Sequence, residues 1–310
     1  MKDSIKKYYY KFLKLKNRLL IGRPVLVMMY HRVSDIVGQE LSYLTVSLDN
    51  FEQQLLYFKE KHQILRIDED WTSLRKTGIV ITFDDGYANN FINALPLLEK
   101  HQIPATIFVS TININTDKEF WWDRLEYDYM KVDDVFFFPG VKVEINKSKY
   151  TFKYISHLVA KLKTHEKELW FSEFESKNDI QFQNRDAYRS LTNDELRTLS
   201  EHPLIDIGIH SHSHYSFKDL TYEEQKSELA LNIEILSKLT SKHIKYFALP
   251  HGMYDENTFK VIEEFGISGV LLSNDYYSNI KNKSRRRKFR ILITNIKGQE
   301  FFKRIRHCDF

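Results

Sequence analysis

Residues 78–86 read GIVITFDDG. Ile79 through Phe83 form an unbroken run of apolar or β-branched side chains, which stops at two carboxylates, Asp84 and Asp85. A run without polar alternation is the pattern of a strand covered on both faces, as in a parallel sheet packed under helices. The pattern recurs in PVLVMMYH (24–31), QILRI (63–67), IPATIFVST (103–111), IDIGIH (205–210), YFALPHG (246–252), ISGVLLS (267–273) and FRILITN (289–295). Between these runs, 47–62, 88–101, 221–239 and 255–265 read as helices. The last opens on a capping Asp255 and ends at Gly266.

Strands alternating with helices imply a parallel sheet with right-handed crossovers, and seven or eight of them favour a closed or nearly closed barrel over an open sheet. Active sites of such barrels lie at the C-terminal strand ends. His31, Asp84, Asp85, His210 and His251 all stand at such ends. The interval 112–203 is too long for a connecting loop. It contains EFWWDRLEY, an expected hairpin (VKVEI, NKSK, YTFKY), a helix near 155–175 and a capped helix in LTNDELRTLS, and reads as an insertion over the C-terminal face.

The 310 residues are 42% hydrophobic and 28% charged, an ordinary globular balance. One cysteine, Cys308, excludes an internal disulfide framework and a cysteine-rich zinc site, and fits a reducing compartment. The net charge of +4 is unevenly spread: six lysines, Arg18 and Asp3 put +6 on residues 1–20, and KNKSRRRKFR (281–290) adds +7. The second block reads as a solvated face. In the first, Ile5, Tyr8, Phe12, Leu15 and Leu19 recur at helical spacing beside lysines. Residues 1–22 thus read as a basic amphipathic helix, which either lies on an anionic membrane surface or packs on the domain, 23–310. The apolar run before Arg23 has no cleavage site after it, and no stretch reaches the roughly 20 apolar residues of a membrane span. The expectation is the cytoplasm, at the inner face of the membrane.

Two adjacent carboxylates at a strand end repel each other unless a cation or a proton intervenes. Asp-Asp-Gly also suits a tight turn on backbone grounds alone. IHSHSHY (209–215) supplies the context, with His210, His212 and His214 at alternate positions. Two histidines, one carboxylate and open positions for water make a common catalytic site for zinc, and also for ferrous iron. On a continuing strand all three histidines share a face; on a turn, only His210 and His214 do.

These segments resemble the polysaccharide deacetylases, or NodB-homology domains, of carbohydrate esterase family 4. The resemblance covers about 24–295. It rests on YHRV (30–33), TFDDGY (82–87), PATIFV (104–109), WWDRL (121–125), IGIHSHSH (207–214) and FALPHGMYD (247–255), in that order. It implies a distorted (β/α) barrel of seven strands and removal of acetyl groups from sugars with one divalent metal, zinc by preference. By the same resemblance Asp84 is the general base, Asp85, His210 and His214 bind the metal, and a backbone N–H near His251 helps hold the oxyanion. His31 is the candidate general acid, with His251 and His212 behind it, because ILITN (291–295) lacks the histidine usual on a late strand. Ala248 stands where many members carry the arginine that orients the base, so Arg290 or Arg124 is expected to substitute. Tyr87, Trp122, Pro250, His251, Gly252 and Arg290 are expected to face substrate.

The reading is therefore a metal-dependent deacetylase of an N-acetylated sugar, nucleotide-linked, lipid-linked or oligosaccharidic, in cell-surface polysaccharide or glycoconjugate synthesis. Peripheral association with an anionic membrane surface is one of the two roles open to the N-terminal helix, and nucleic acid is not expected. A ferrous-iron oxygenase would show the short strands of a jelly roll instead of strand–helix alternation. A non-enzymatic module binding membrane or nucleic acid through the basic segments would leave the Asp and His set unexplained.

Overall fold

The computed structural model describes residues 23–35, 41–71, 74–140, 144–273 and 287–308. The expected helix at 1–22, most of the basic block at 281–290 and part of the expected strand VKVEI lie outside them. Seven parallel strands form a ring: β1 (Val25–Tyr30), β2 (Gly78–Phe83), β3 (Ala105–Val109), β4 (Ile205–Ile209), β5 (Tyr246–Ala248), β6 (Gly269–Ser273) and β7 (Arg287–Leu292). Each pairs with the next in the chain, and β7 closes on β1 with Val27 opposite Arg290. This is the expected seven-stranded (β/α) barrel. The short strand Gln63–Ile64 pairs with the start of β2 and stands outside the ring.

Because side chains alternate across a strand, each barrel strand serves two cores. Outward residues such as Leu26, Met28, Ile79, Ile81 and Ile207 pack against Phe51, Leu55, Leu98, Leu196 and Leu236 from the surrounding helices. Inward residues Val25, Val27, Val80, Phe108, Ala248 and Leu271 fill the barrel. The ring of Phe108 lies where Gly208 has no side chain; a Cβ there would sit 2.3 Å from Phe108 Cδ1. The inward series continues toward the C-terminal ends as Met29 on β1, His31 after it, Asp84 after β2, Ser273 on β6, and Arg290 and Leu292 on β7.

The helices follow the capping signals closely. Ser47, Thr192, Thr221 and Asp255 each accept a hydrogen bond from the backbone at the start of helices Leu48–Lys61, Asn193–Glu201, Tyr222–Leu239 and Glu256–Glu264. The interval 112–203 departs from expectation in two ways. The helix near 155–175 is two helices, Phe152–Ala160 and Thr164–Lys177. Ile145–Asn146 pairs antiparallel with Val135–Phe136, while Thr151 caps the next helix, so YTFKY is no strand. The insertion carries its own core of Leu125, Phe136, Ile155, Trp170, Phe171 and Phe174. Asn193–Glu201 instead packs Leu196 and Leu199 on the barrel, as a crossover helix does. Among the described residues no helix is long and apolar enough to cross a membrane.

Candidate active site

After Phe83 the chain leaves β2 through a turn in which Asp85 (φ +72°) and Gly86 (φ +82°) are both left-handed. A side chain at Gly86 would be strained by φ and would meet Val109 Cγ1 at 2.9 Å. The turn is tied to its neighbours: Asp84 N–H donates to Tyr30 O at 2.9 Å, and Ser110 N–H donates to Asp85 O at 3.2 Å. Asp84 continues the inward face of β2, and Asp85 is carried sideways toward the end of β4.

β4 stops at Ile209, and Ser211 takes φ +61°. The Ser211 hydroxyl accepts the His214 N–H at 3.0 Å, closing a turn. This answers the spacing question. His210 and His214 meet, with Nε2 atoms 3.2 Å apart, while His212 turns away to bond the Thr111 hydroxyl at 2.9 Å. Asp85 Oδ1 lies 3.3 Å from His210 Nε2 and 3.2 Å from His214 Nε2. His210 Nδ1–H donates to the Ala248 carbonyl at 2.7 Å, which turns Nε2 toward Asp85.

Asp85, His210 and His214 are all buried and converge as a group able to hold a metal ion. Asp85 Oδ1 is buried with no hydrogen-bond partner. A buried carboxylate oxygen and two imidazole lone pairs facing each other repel unless a cation or a proton lies between them. Their spacing also matches a tetrahedral ion, whose ligands at 2.0–2.1 Å stand about 3.3 Å apart.

Asp84 is outside this group, 3.7 Å from His210 Nε2. Both its oxygens are taken by Arg290, with Nη1–Oδ1 2.5 Å and Nη2–Oδ2 2.8 Å. Burial pushes the Asp84 carboxyl up, but Arg290 and His210 outweigh it and hold the group below the ordinary carboxylate range. Of the two arginines expected to hold Asp84, the one that does so is therefore Arg290, on β7. Its placement corrects the expectation that Arg290 faces substrate: it is fully buried inside the barrel over Phe108. Arg124 is not the substitute, since it pairs with Glu168 and Glu175 in the insertion.

Above these groups opens a cavity of about 500 Å³, lined by His31, Asp84, Asp85, His210, His214 and His251 among others. His31 lies half-buried in it, its ring held below the usual imidazole range by burial against the opposing pull of Asp85 and Asp84. Asn90 fixes its backbone by donating to His31 O at 2.7 Å. Trp122 lines the same cavity, stacked on Phe120 and 4.6 Å from the His214 ring. His251 stands at φ +56° in the turn Pro250–Gly252, its ring 4.7 Å from that of His214.

Three other expected substrate contacts are corrected. Tyr87 is buried in a polar cluster, where its hydroxyl donates to Asp123 at 2.6 Å and accepts from Trp122 Nε1 at 2.8 Å. Pro250 and Gly252 shape the turn that presents His251 and do not line the cavity. Two residues were missed. Arg32, in YHRV, forms a buried ion pair with Asp123 in WWDRL. Asn232 donates its amide to Ser211 O at 2.6 Å and Val109 O at 3.0 Å, locking the histidine turn to β3. A buried Asn among the apolar positions of LNIEIL (231–236) is the signal that would have found it.

A family model for polysaccharide deacetylase matches residues 72–270. YxkH of Bacillus subtilis (strain 168), named for the same activity, is 23% identical over 248 residues, 77% of this chain and 61% of its own length. The chain thus spans less than two thirds of that relative. Among solved structures, a polysaccharide deacetylase from Bacillus cereus superposes with a TM-score of 0.60 at 19% identity, over 91% of this chain and 69% of that one. IcaB from Ammonifex degensii superposes with a TM-score of 0.59 at 15% identity, over 92% and 96%. The two structures show a shared fold, and the family model goes further: this chain belongs to the polysaccharide deacetylase family, whose members are deacetylating hydrolases.

Proposed function

We propose that this chain hydrolyses the acetyl group of an N-acetylated sugar, using one divalent metal, zinc by preference, held by Asp85, His210 and His214. The observation that carries the reading is the division of labour between adjacent carboxylates: Asp85 faces two imidazoles, and Asp84 is held apart by Arg290. When bound, the metal supplies Lewis acidity, polarising the acetyl carbonyl and a water. Asp84, ionised and fixed at both oxygens, accepts the proton of the attacking water. In this reading the His251 backbone N–H donates to the oxyanion, those of Gly252 and Met253 being spent on the Leu249 and Pro250 carbonyls. His31 passes to the leaving amine the proton that Asp84 took from the water, and acetate and the free amino sugar result.

The cell-surface glycan pathway and a site of action at the cytoplasmic membrane face rest on the family and on the basic pattern of residues 1–20. The location is tested by deleting those residues: binding to anionic vesicles should fall, with the difference fading at high salt, while turnover of a soluble substrate stays. The activity is tested by acetate release from a panel of N-acetylated sugars, with zinc, after chelation, and after zinc is restored. His210→Ala and His214→Ala should lose the metal and His212→Ala should keep it. No acetate from any donor in any metal would end the proposal.

A further inference from the structure

Resting on the reading that Asp85, His210 and His214 hold a metal, we infer that Trp122 is a positioning residue for His214. Arg32, Tyr87 and Asp123 fix Trp122 in that role.

The two histidines are supported differently. His210 is anchored through Nδ1 to the Ala248 carbonyl, the outer contact that metal-ligating imidazoles almost always have. His214 lacks one: its Nδ1 is buried and meets no hydrogen-bond partner among the described residues. Its backbone N–H is tied to the Ser211 hydroxyl, which leaves the orientation of the ring open. What packs on the ring must therefore hold it. Trp122 lies 4.6 Å from it, His251 4.7 Å and His210 4.8 Å. His210 belongs to the group being held, and His251 is exposed on its turn. Trp122 is buried, and its anchor lies outside the site.

That anchor is saturated. Trp122 Nε1–H donates to the Tyr87 hydroxyl oxygen at 2.8 Å, and Arg32 Nη1 donates to the same oxygen at 3.2 Å. With both lone pairs taken, the Tyr87 proton goes to Asp123 Oδ2 at 2.6 Å. Asp123 Oδ1 pairs with Arg32 in turn. Phe120 stacks on the indole with centroids 4.5 Å apart and meets the Tyr87 ring edge-on at 5.3 Å. All these side chains are buried, so an indole turned out of place would strand a donor away from water. A buried ion pair adds little net stability over apolar residues of equal volume; its better use is to fix one arrangement. Here Arg32 follows β1, Tyr87 follows β2, and Trp122 and Asp123 open the helix Trp121–Lys131 of the insertion. The cluster thus fastens the insertion to the barrel beside His214, with the indole facing the imidazole.

The test is zinc affinity, by competition with a chromophoric chelator, on the full chain and three variants whose folding is followed by circular dichroism. Trp122→Leu removes the flat ring, and Tyr87→Phe removes only the hydroxyl that anchors it. Trp170→Leu is the control, deleting a buried ring from the insertion's own core. Trp122→Leu should weaken zinc binding about 10–100-fold, as loss of other supports of ligand residues does, and Tyr87→Phe should weaken it by less. Trp170→Leu should leave it unchanged, however far it lowers the melting temperature. Should Trp122→Leu not fold, Trp122→Phe, which keeps a ring without the anchoring N–H, takes its place with the same expected direction. Parent affinity in the Trp122 variant would overturn the inference, and parent affinity in Tyr87→Phe would overturn the anchor. An equal loss in Trp170→Leu would also overturn it, by showing that any loosened insertion disturbs the site. Zinc binding is read without acetate release, so the inference can fail while the deacetylase reading stands; a parent chain that binds no zinc would overturn both.

Discussion

Replacing Asp84 or Asp85 by asparagine should abolish turnover for different reasons. Asp85→Asn offers a neutral amide where two imidazoles and a carboxylate converge, so metal content should fall and activity should return in part at high metal concentration. Asp84→Asn should retain the metal and lose about 10²–10⁴-fold in turnover, the contribution of a general base. Metal analysis and acetate release on both variants check this, and metal loss in Asp84→Asn alone would reverse the roles. Arg290 is the second discriminating residue. Arg290→Ala leaves Asp84 buried without its partner and should cost about 3–5 kcal/mol of stability, read by denaturant titration. Arg290→Lys keeps the charge but cannot form the two-pronged contact. It should lose about 10–100-fold in turnover through misplacement of the carboxylate. A fully active Arg290→Lys would show that orientation of Asp84 matters little.

At the scale of elements, the histidine turn depends on the helix Tyr222–Leu239, through Asn232. Asn232→Leu preserves the apolar surroundings but strands the carbonyls of Ser211 and Val109. Metal affinity should drop about 10–100-fold, as for other supports of ligand residues, with the fold retained. Zinc competition with a chromophoric chelator and far-ultraviolet circular dichroism together check it. This element also shows where the sequence was legible. Thr221, with Glu224 three residues on, marks the helix start openly, and continuous apolar runs mark the strands. The group able to hold a metal was legible because Asp85, His210 and His214 each carry their chemistry in their own side chains. Arg290 and Asn232 act through partners far along the chain, and local periodicity says nothing about which distant group a buried polar residue meets. Tyr87 misled for the same reason: it adjoins the DDG turn in sequence, yet its ring points into the cluster with Asp123 and Trp122. The supposed hairpin at 141–154 failed because short strands in an insertion take their partner from tertiary contact, here Val135–Phe136.

At the scale of the whole molecule, the site is assembled from nearly the full length of the barrel. Asp84 and Asp85 follow β2, His210 and His214 follow β4, His251 follows β5 and Arg290 lies on β7. The family match ends at residue 270, before the strand that supplies the base-orienting arginine. The Asp84–Arg290 pair spans 206 positions of sequence. At a synthesis rate of about 5–20 residues per second, Asp84 is made roughly 10–40 s before its partner exists. Until β7 arrives, the ring lacks its closing strand and an inward carboxylate has no counter-charge. A chain interrupted after Ser273 should therefore carry both aspartates, His210 and His214, yet neither melt cooperatively nor release acetate. Calorimetry and an acetate assay on that fragment would show whether it does. A prematurely released polypeptide would then be a catalytically silent one, with hydrolysis withheld until translation had all but finished.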